Sequence, residues 1–331
     1  MFDGKEKRPL IILTGPTAVG KTKASIGLAK AIGGEIISAD SMQVYKHMNI
    51  GSAKISPEEM EGVPHHLIDV LEPDEEFHVA KFQEMAKAAL DKIYAAGHIP
   101  IVAGGTGFYI QALLYDIDFS KGEEDSAYRQ KLIDFADAEG NQALHSLLRQ
   151  VDEKSAAAIH ENNRKRVIRA LEFYHQTGKP ISEHNEQERQ KSSPYRFAYF
   201  VLNDERSRLY ERIDRRVDEM LDAGLIEEVK WLKNQGYTKD MVSMQGLGYK
   251  EILSYLDGEL TQEEAVYKLK RDTRHFAKRQ LTWFRREHDV IWIEKNHYNY
   301  EEETVLQAML DCLKEKEIIT NGLTCSDSRT L

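Results

Sequence analysis

The densest chemistry in this chain lies in eight consecutive residues, Gly15-Pro16-Thr17-Ala18-Val19-Gly20-Lys21-Thr22. They match, without exception, the pattern of a glycine, four free positions, then glycine, lysine and a hydroxyl residue. Average residue usage produces such a match by chance about once in a hundred chains of this length. A loop of this kind points backbone N–H groups and a helix N-terminus at an anion. Lys21 adds a point charge and Thr22 a hydroxyl suited to Mg²⁺. The chemistry implied is binding of a di- or triphosphate, and the loop alone does not say which.

Two further groups sit where a ligand of that loop would meet them. Asp40 follows the apolar stretch Glu35–Ala39, and as a carboxylate it could take a proton or bind a metal. It also suits a turn or helix cap beside Ser41. Thr106 lies in Gly104-Gly105-Thr106-Gly107, where glycines permit close backbone approach to a ligand or simply a tight turn. The preceding strand lacks the terminal Asp by which many nucleotide hydrolases hold magnesium. His65, His66 and Asp69 lack further ligands at metal spacing and read as core or polar-network residues.

The elements that would position these groups are legible. Apolar runs Pro9–Leu13, Glu35–Ala39, His66–Val70 and Ile99–Ala103 alternate with helical patterns at Lys23–Ile32 and Val79–Ala96. That rhythm predicts a parallel sheet flanked by helices, with ligands at the strands' carboxyl ends. From about Ser126 to Gln176 the pattern is charged and helical. A strand signal returns at Arg196–Leu202, helices follow near Arg208–Gln235, Gly248–Leu256 and Thr261–Glu287, and a last strand and helix at Asp289–Ile293 and Glu301–Lys316. The expected organisation is a catalytic core of residues 1–115 and 196–316, a helical insertion domain of residues 116–195, and a mobile tail of residues 317–331.

The chain has 331 residues and a net charge of −10. Net acidity argues against nucleic acid, yet the distribution says otherwise. Between Lys268 and Arg286 lie eight Lys or Arg residues and one acid, Asp272. Residues 270, 274 and 278 share a helix face. Arg164-Lys165-Arg166 forms a second cluster. Both fit contact with a polyanion backbone. Only Cys312 and Cys325 are present, so neither a disulfide framework nor a zinc cluster is expected. No apolar run approaches membrane-spanning length, and Met1–Arg8 lacks a signal-peptide core. A cytoplasmic monomer is the simplest expectation.

Taken in order, the motifs resemble those of the tRNA dimethylallyltransferase family, over roughly Arg8 to Ile293. The resemblance is carried by Gly15–Thr22, Ser38-Ala39-Asp40-Ser41-Met42-Gln43-Val44-Tyr45, Pro64-His65-His66-Leu67-Ile68-Asp69 and Gly104-Gly105-Thr106-Gly107-Phe108-Tyr109. It continues through Asn163 to Glu172, Gly246-Leu247-Gly248-Tyr249-Lys250-Glu251 and Thr273 to Gln280. Phe108 and Phe276 depart from the family's usual Leu and Tyr, and both remain apolar.

The resemblance implies a P-loop NTPase-like α/β fold with a helical insertion domain. It implies transfer of a dimethylallyl group from dimethylallyl diphosphate to N6 of the adenine on the 3′ side of a tRNA anticodon. Gly15, Pro16, Thr17, Ala18, Val19, Gly20, Lys21 and Thr22 would then cradle a leaving diphosphate with Mg²⁺. Arg216 matches the family's further diphosphate contact, although Arg215 is adjacent. Asp40 would be the base and Thr106 would orient the amine. Asp40, Ser41, Met42, Gln43 and Thr106 would meet the anticodon loop, as would Arg164, Lys165, Arg166, Val167 and Ile168. Arg274, Lys278, Arg279 and Gln280 are expected as additional RNA contacts. Two other readings stay open: a P-loop kinase of a nucleoside or small metabolite, and an RNA-binding protein without activity.

Overall fold

The computed structural model describes residues 7–119 and 126–319. Of the tail expected to be mobile from residue 317, Ile318 and Ile319 are instead buried in the core because their apolar side chains pack there, and the rest, from residue 320 onward, lies outside the described residues. The chain divides into two compact units, Met1–Leu114 with Pro194–Leu331, and Tyr115–Ser193.

The first unit runs β1 (Pro9–Thr14), α1 (Lys21–Ile32), β2 (Glu35–Ala39), β3 (His65–His66), α2 (Val79–Ala95), β4 (Pro100–Gly104) and α3 (Gly107–Leu114). The second holds α4 (Ser126–Glu139), α5 (Asn141–Val151), α6 (Glu153–Ala158), α7 (Arg164–Thr177) and α8 (Ile181–Arg189). The first then resumes with β5 (Arg196–Asn203), α9 (Arg206–Asp222), α10 (Leu225–Asn234), α11 (Tyr249–Leu256), α12 (Gln262–Phe284), β6 (Val290–Glu294) and α13 (Glu302–Glu315).

The six strands form one parallel sheet in the order β3-β2-β4-β1-β5-β6. Its central strands are near-continuous apolar runs because both faces are covered. Leu10, Ile11, Ile12 and Leu13 are all fully buried. Ile11, Leu13, Ile101, Phe200 and Leu202 turn to one face, where they pack with Ile26 and Leu28 of α1, Leu209 and Ile213 of α9, and Val305 and Met309 of α13. Leu10, Ile12 and Val102 alternate to the opposite face and are as deeply buried.

The expected strand His66–Val70 is cut to His65–His66. Leu67 and Asp69 adopt positive φ of 65° and 54°, which ends the pairing with β2. The run Arg208–Gln235 is two helices, broken at Gly224 with φ 98°. Helix α12 starts at a capping box between Thr261 and Glu264. Two helices, α3 and α8, were not read from the sequence. Within the second unit, Leu144, Leu148, Val167 and Leu171 form a separate core. Arg129 there makes a bidentate pair with buried Glu172, at 2.7 and 2.9 Å.

Candidate active site at the carboxyl edge of the sheet

The glycine loop joins β1 to α1 as the sequence predicts, and its two glycines are there for different reasons. Gly15 has φ 147°, and a Cβ on it would lie 2.4 Å from the Leu202 carbonyl oxygen of β5. Gly20, with φ 101°, turns the chain into the first residue of α1. Lys21 folds back over the loop and donates to the carbonyls of Gly15 and Pro16, at 3.0 and 2.9 Å. Lys21 is half-buried, and burial brings its pKa down to about 8, with the Asp40 carboxylate pulling it back up and Arg216 pushing it lower.

Two cations that sequence reading missed brace the loop from outside. Arg212 donates from Nε to the Ala18 carbonyl at 2.8 Å, and Lys295 from Nζ to the Val19 carbonyl at 3.3 Å. Lys295 is buried, and that burial, reinforced by Arg212, lowers its pKa. The one available signal for Lys295 was its place directly after the last strand, at the ligand edge of the sheet. Arg216, also on α9, is lowered chiefly by burial and then by Arg212. Arg215 is exposed. Of the adjacent pair, Arg216 is therefore the one turned toward Lys21.

Asp40 stands one residue beyond β2. Its Oδ1 accepts from the backbone of Met42 at 2.8 Å and Gln43 at 3.3 Å. Its Oδ2 accepts no hydrogen bond from the described residues. The turn-capping role thus engages one oxygen and leaves the other open. An open cleft runs beside it. Its polar lining includes Lys21, Thr22, Ser38, Asp40 and Gln43, and its apolar lining Ile36, Ile55, Ile68 and Ala103. His65 also lines it, and burial lowers its pKa, so the ring is neutral at pH 7.

Thr106 follows β4 beside β2, and its N–H donates to the Ala39 carbonyl at 3.2 Å. Its own carbonyl opens α3 by accepting from Tyr109 and Ile110, while its hydroxyl has no partner among the described residues. The surrounding glycines admit protein. A Cβ on Gly104 would lie 2.2 Å from the Ala39 oxygen, and one on Gly107 2.2 Å from the Trp283 ring.

The residues expected to meet RNA divide sharply. Lys165, Arg166, Lys278 and Arg279 are exposed. Arg164 is paired with Asp137, and Arg274 with Asp214. Lys270, on the same α12 face, is paired with Asp218 at 2.6 Å. Val167 and Ile168 are buried in the helical unit's core, so their side chains serve to present Lys165 and Arg166 outward. Ser41 and Met42 are half-buried beside the cleft, with Met42 packed against Gly246. The Gln43 amide donates to the Ala53 carbonyl at 3.2 Å. Gln280, expected to meet RNA, is instead buried with its amide engaged inside the protein.

Comparison with known proteins finds relatives along most of the chain. The IPP transferase family model matches residues 43–287. The tRNA dimethylallyltransferase of Lachnoclostridium phytofermentans is 63% identical over 312 residues, covering 94% of this chain and 99% of that protein. The full-length tRNA isopentenylpyrophosphate transferase of Bacillus halodurans superposes with a TM-score of 0.70 at 45% identity, covering 94% of this chain and 98% of that one. A eukaryotic dimethylallyltransferase acting on tRNA superposes with a TM-score of 0.79 at 29% identity, covering 94% of this chain and 79% of that one. Its P-loop NTPase-like sheet, its motifs and these relatives place the chain in the IPP transferase family, the tRNA dimethylallyltransferases.

Proposed function

We propose that this protein transfers the dimethylallyl group of dimethylallyl diphosphate to N6 of the adenine 3′-adjacent to a tRNA anticodon, releasing diphosphate. The observation that carries the reading is one cleft lined by both Lys21 of the glycine loop and Asp40, with the apolar side chains of Ile36, Ile55 and Ile68 in the same lining. The carbon–oxygen bond to the diphosphate breaks as the bond from N6 to the allylic carbon forms. The loop amides, Lys21 and Arg216 stabilise the charge that collects on the leaving diphosphate. The amine lone pair is delocalised into the ring, so its nucleophilicity depends on losing a proton. Asp40 takes that proton through its uncommitted oxygen. The Thr106 hydroxyl orients the amine. The adenine must leave its stack to enter the cleft.

The donor set suits Mg²⁺: hard oxygen donors, the Thr22 and Ser38 hydroxyls, line the cleft beside the diphosphate loop. Thr22 is the residue that would hold the ion with the diphosphate oxygens, and the ion would supply charge neutralisation there. Exposed Lys165, Arg166, Lys278 and Arg279 supply contact to the anticodon stem-loop backbone. No helix among the described residues is long and apolar enough to cross a membrane. Action on tRNA as a cytoplasmic monomer fits this reading.

The test is mass spectrometry of unmodified tRNA incubated with the protein, Mg²⁺ and dimethylallyl diphosphate, beside an ATP-only control. The expected result is one dimethylallyl unit on the adenine next to the anticodon. Unchanged tRNA, with ATP consumed on adding a small nucleoside, would instead make the protein a kinase.

A further inference from the structure

Two loops at the carboxyl edge must stay in register for the proposed reaction. One would hold the leaving diphosphate and the other carries Thr106. They come from β1 and β4, and a single side chain far away in sequence joins them. Gln280 of α12 is 6% exposed. Its Oε1 accepts from the Thr17 N–H of the glycine loop at 2.8 Å. Its Nε2 donates to the Gly105 carbonyl at 3.0 Å. The fit leaves no slack, since a Cβ on Gly105 would lie 2.3 Å from that Nε2.

We infer that Gln280 is a positioning residue that locks the diphosphate loop to the turn bearing Thr106, so that leaving group and acceptor are aligned by one carboxamide. The chemistry explains the residue type. A carboxamide offers an acceptor and a donor on one planar group at this reach whatever the pH. A methionine fills similar volume with neither bond, and an asparagine is one methylene too short for both. The inference rests on the transferase reading above, in which the glycine loop holds diphosphate. It also explains why the glycines at 105 and 107 follow β4, since Gln280 and Trp283 of α12 press against them.

The experiment compares wild type with Gln280→Met and Gln280→Asn. It measures affinity for inorganic pyrophosphate with Mg²⁺ by calorimetry, then kcat and KM for dimethylallyl diphosphate, and tRNA Kd in the absence of the diphosphate substrate. A buried hydrogen-bond pair lost on one side predicts a loss of about tenfold or more in pyrophosphate affinity and in kcat/KM. Part of that loss should fall in kcat, because alignment and not only binding is disturbed. The tRNA Kd should stay within about twofold of wild type, since a buried amide touches no RNA. Asparagine keeps a buried polar group and gives a second reading should the methionine variant fold poorly. Unchanged pyrophosphate affinity and kcat in folded variants, with wild type binding normally, would overturn the inference alone. A raised tRNA Kd with intact pyrophosphate binding would overturn it in favour of an RNA contact. Failure of wild type to bind pyrophosphate would overturn the diphosphate reading of the loop and this inference with it.

Discussion

The two edges of the sheet treat buried charge in opposite ways. At the amino edge, Glu35 opens β2 and its carboxylate is saturated: His66 binds one oxygen at 2.7 Å and His98 the other at 2.6 Å. Nearby, Arg8 pairs with Asp91, and the Tyr94 hydroxyl donates to the Pro9 carbonyl at 2.8 Å. At the carboxyl edge of the same strand, Asp40 keeps one oxygen uncommitted. Lys21 is held on backbone carbonyls with its pKa brought down to about 8. Charges whose partners are already present stabilise a fold. Charges gathered in a cleft without a full set of partners are set to receive a ligand that brings opposite charge.

The largest effect that could break this contrast is expected at Asp40. Asp40→Ala should lower turnover by about 10²- to 10⁴-fold while tRNA binding holds, as for loss of a general base. Single-turnover kinetics at saturating tRNA check it, and surviving turnover would remove Asp40 as the base.

Next comes Lys21. Lys21→Met should cost about 10²- to 10³-fold in kcat/KM for dimethylallyl diphosphate, the scale of one lost oxyanion donor. Its melting temperature should match or exceed that of wild type, because a desolvated ammonium is removed. The pH dependence sharpens the point. Wild-type affinity for pyrophosphate should contain a fall as pH rises through about 8, where Lys21 loses its proton, and the Met variant should lack that step. Identical pH profiles would place the ammonium away from the anion.

The same contrast recurs along α12, with a smaller effect on turnover. Lys278→Glu with Arg279→Glu, both exposed, should flatten the salt dependence of tRNA binding by a slope of about 2. Lys270→Ala with Arg274→Ala should leave that slope unchanged, because these cations already pair with Asp218 and Asp214. Equal slopes in the two variants would erase the distinction.

The smallest effect on activity is expected at Glu35. Glu35→Ala should lower folding stability by about 1–3 kcal/mol and leave turnover per folded molecule intact. Burial alone would raise the Glu35 pKa, but the hydrogen bonds from His98 and His66 outweigh it and the net shift is downward. A lowered folded-state value means that this stabilisation is present above the ordinary value of 4.5 and is lost as pH falls through the lowered one. Denaturant titrations of wild type and variant should therefore converge in acid. A turnover defect in Glu35→Ala would make the amino edge part of the chemistry.

Much of this molecule was legible because the deciding signals were local. The eight residues of the glycine loop are contiguous, and β1, β2, β4 and β5 announce themselves as apolar runs. What misled was equally local reasoning applied to distant partners. The cation face at 270, 274 and 278 reads from helical spacing as a contact for a polyanion, yet α9 supplies carboxylates to its first two members. The apolar stretch after His66 reads as strand, yet two left-handed residues end it at once.

By itself, then, the sequence determined the place of the glycine loop between β1 and α1 and the sheet class, and it put forward a candidate base, because each rests on residues close together along the chain or on a strand's carboxyl end. The tertiary structure decided which charges are neutralised, that Arg212 and Lys295 brace the loop, and that Gln280 joins Thr17 to Gly105 across 263 and 175 residues. Those contacts depend on how strands and helices pack in space, and spacing along the chain carries no record of them.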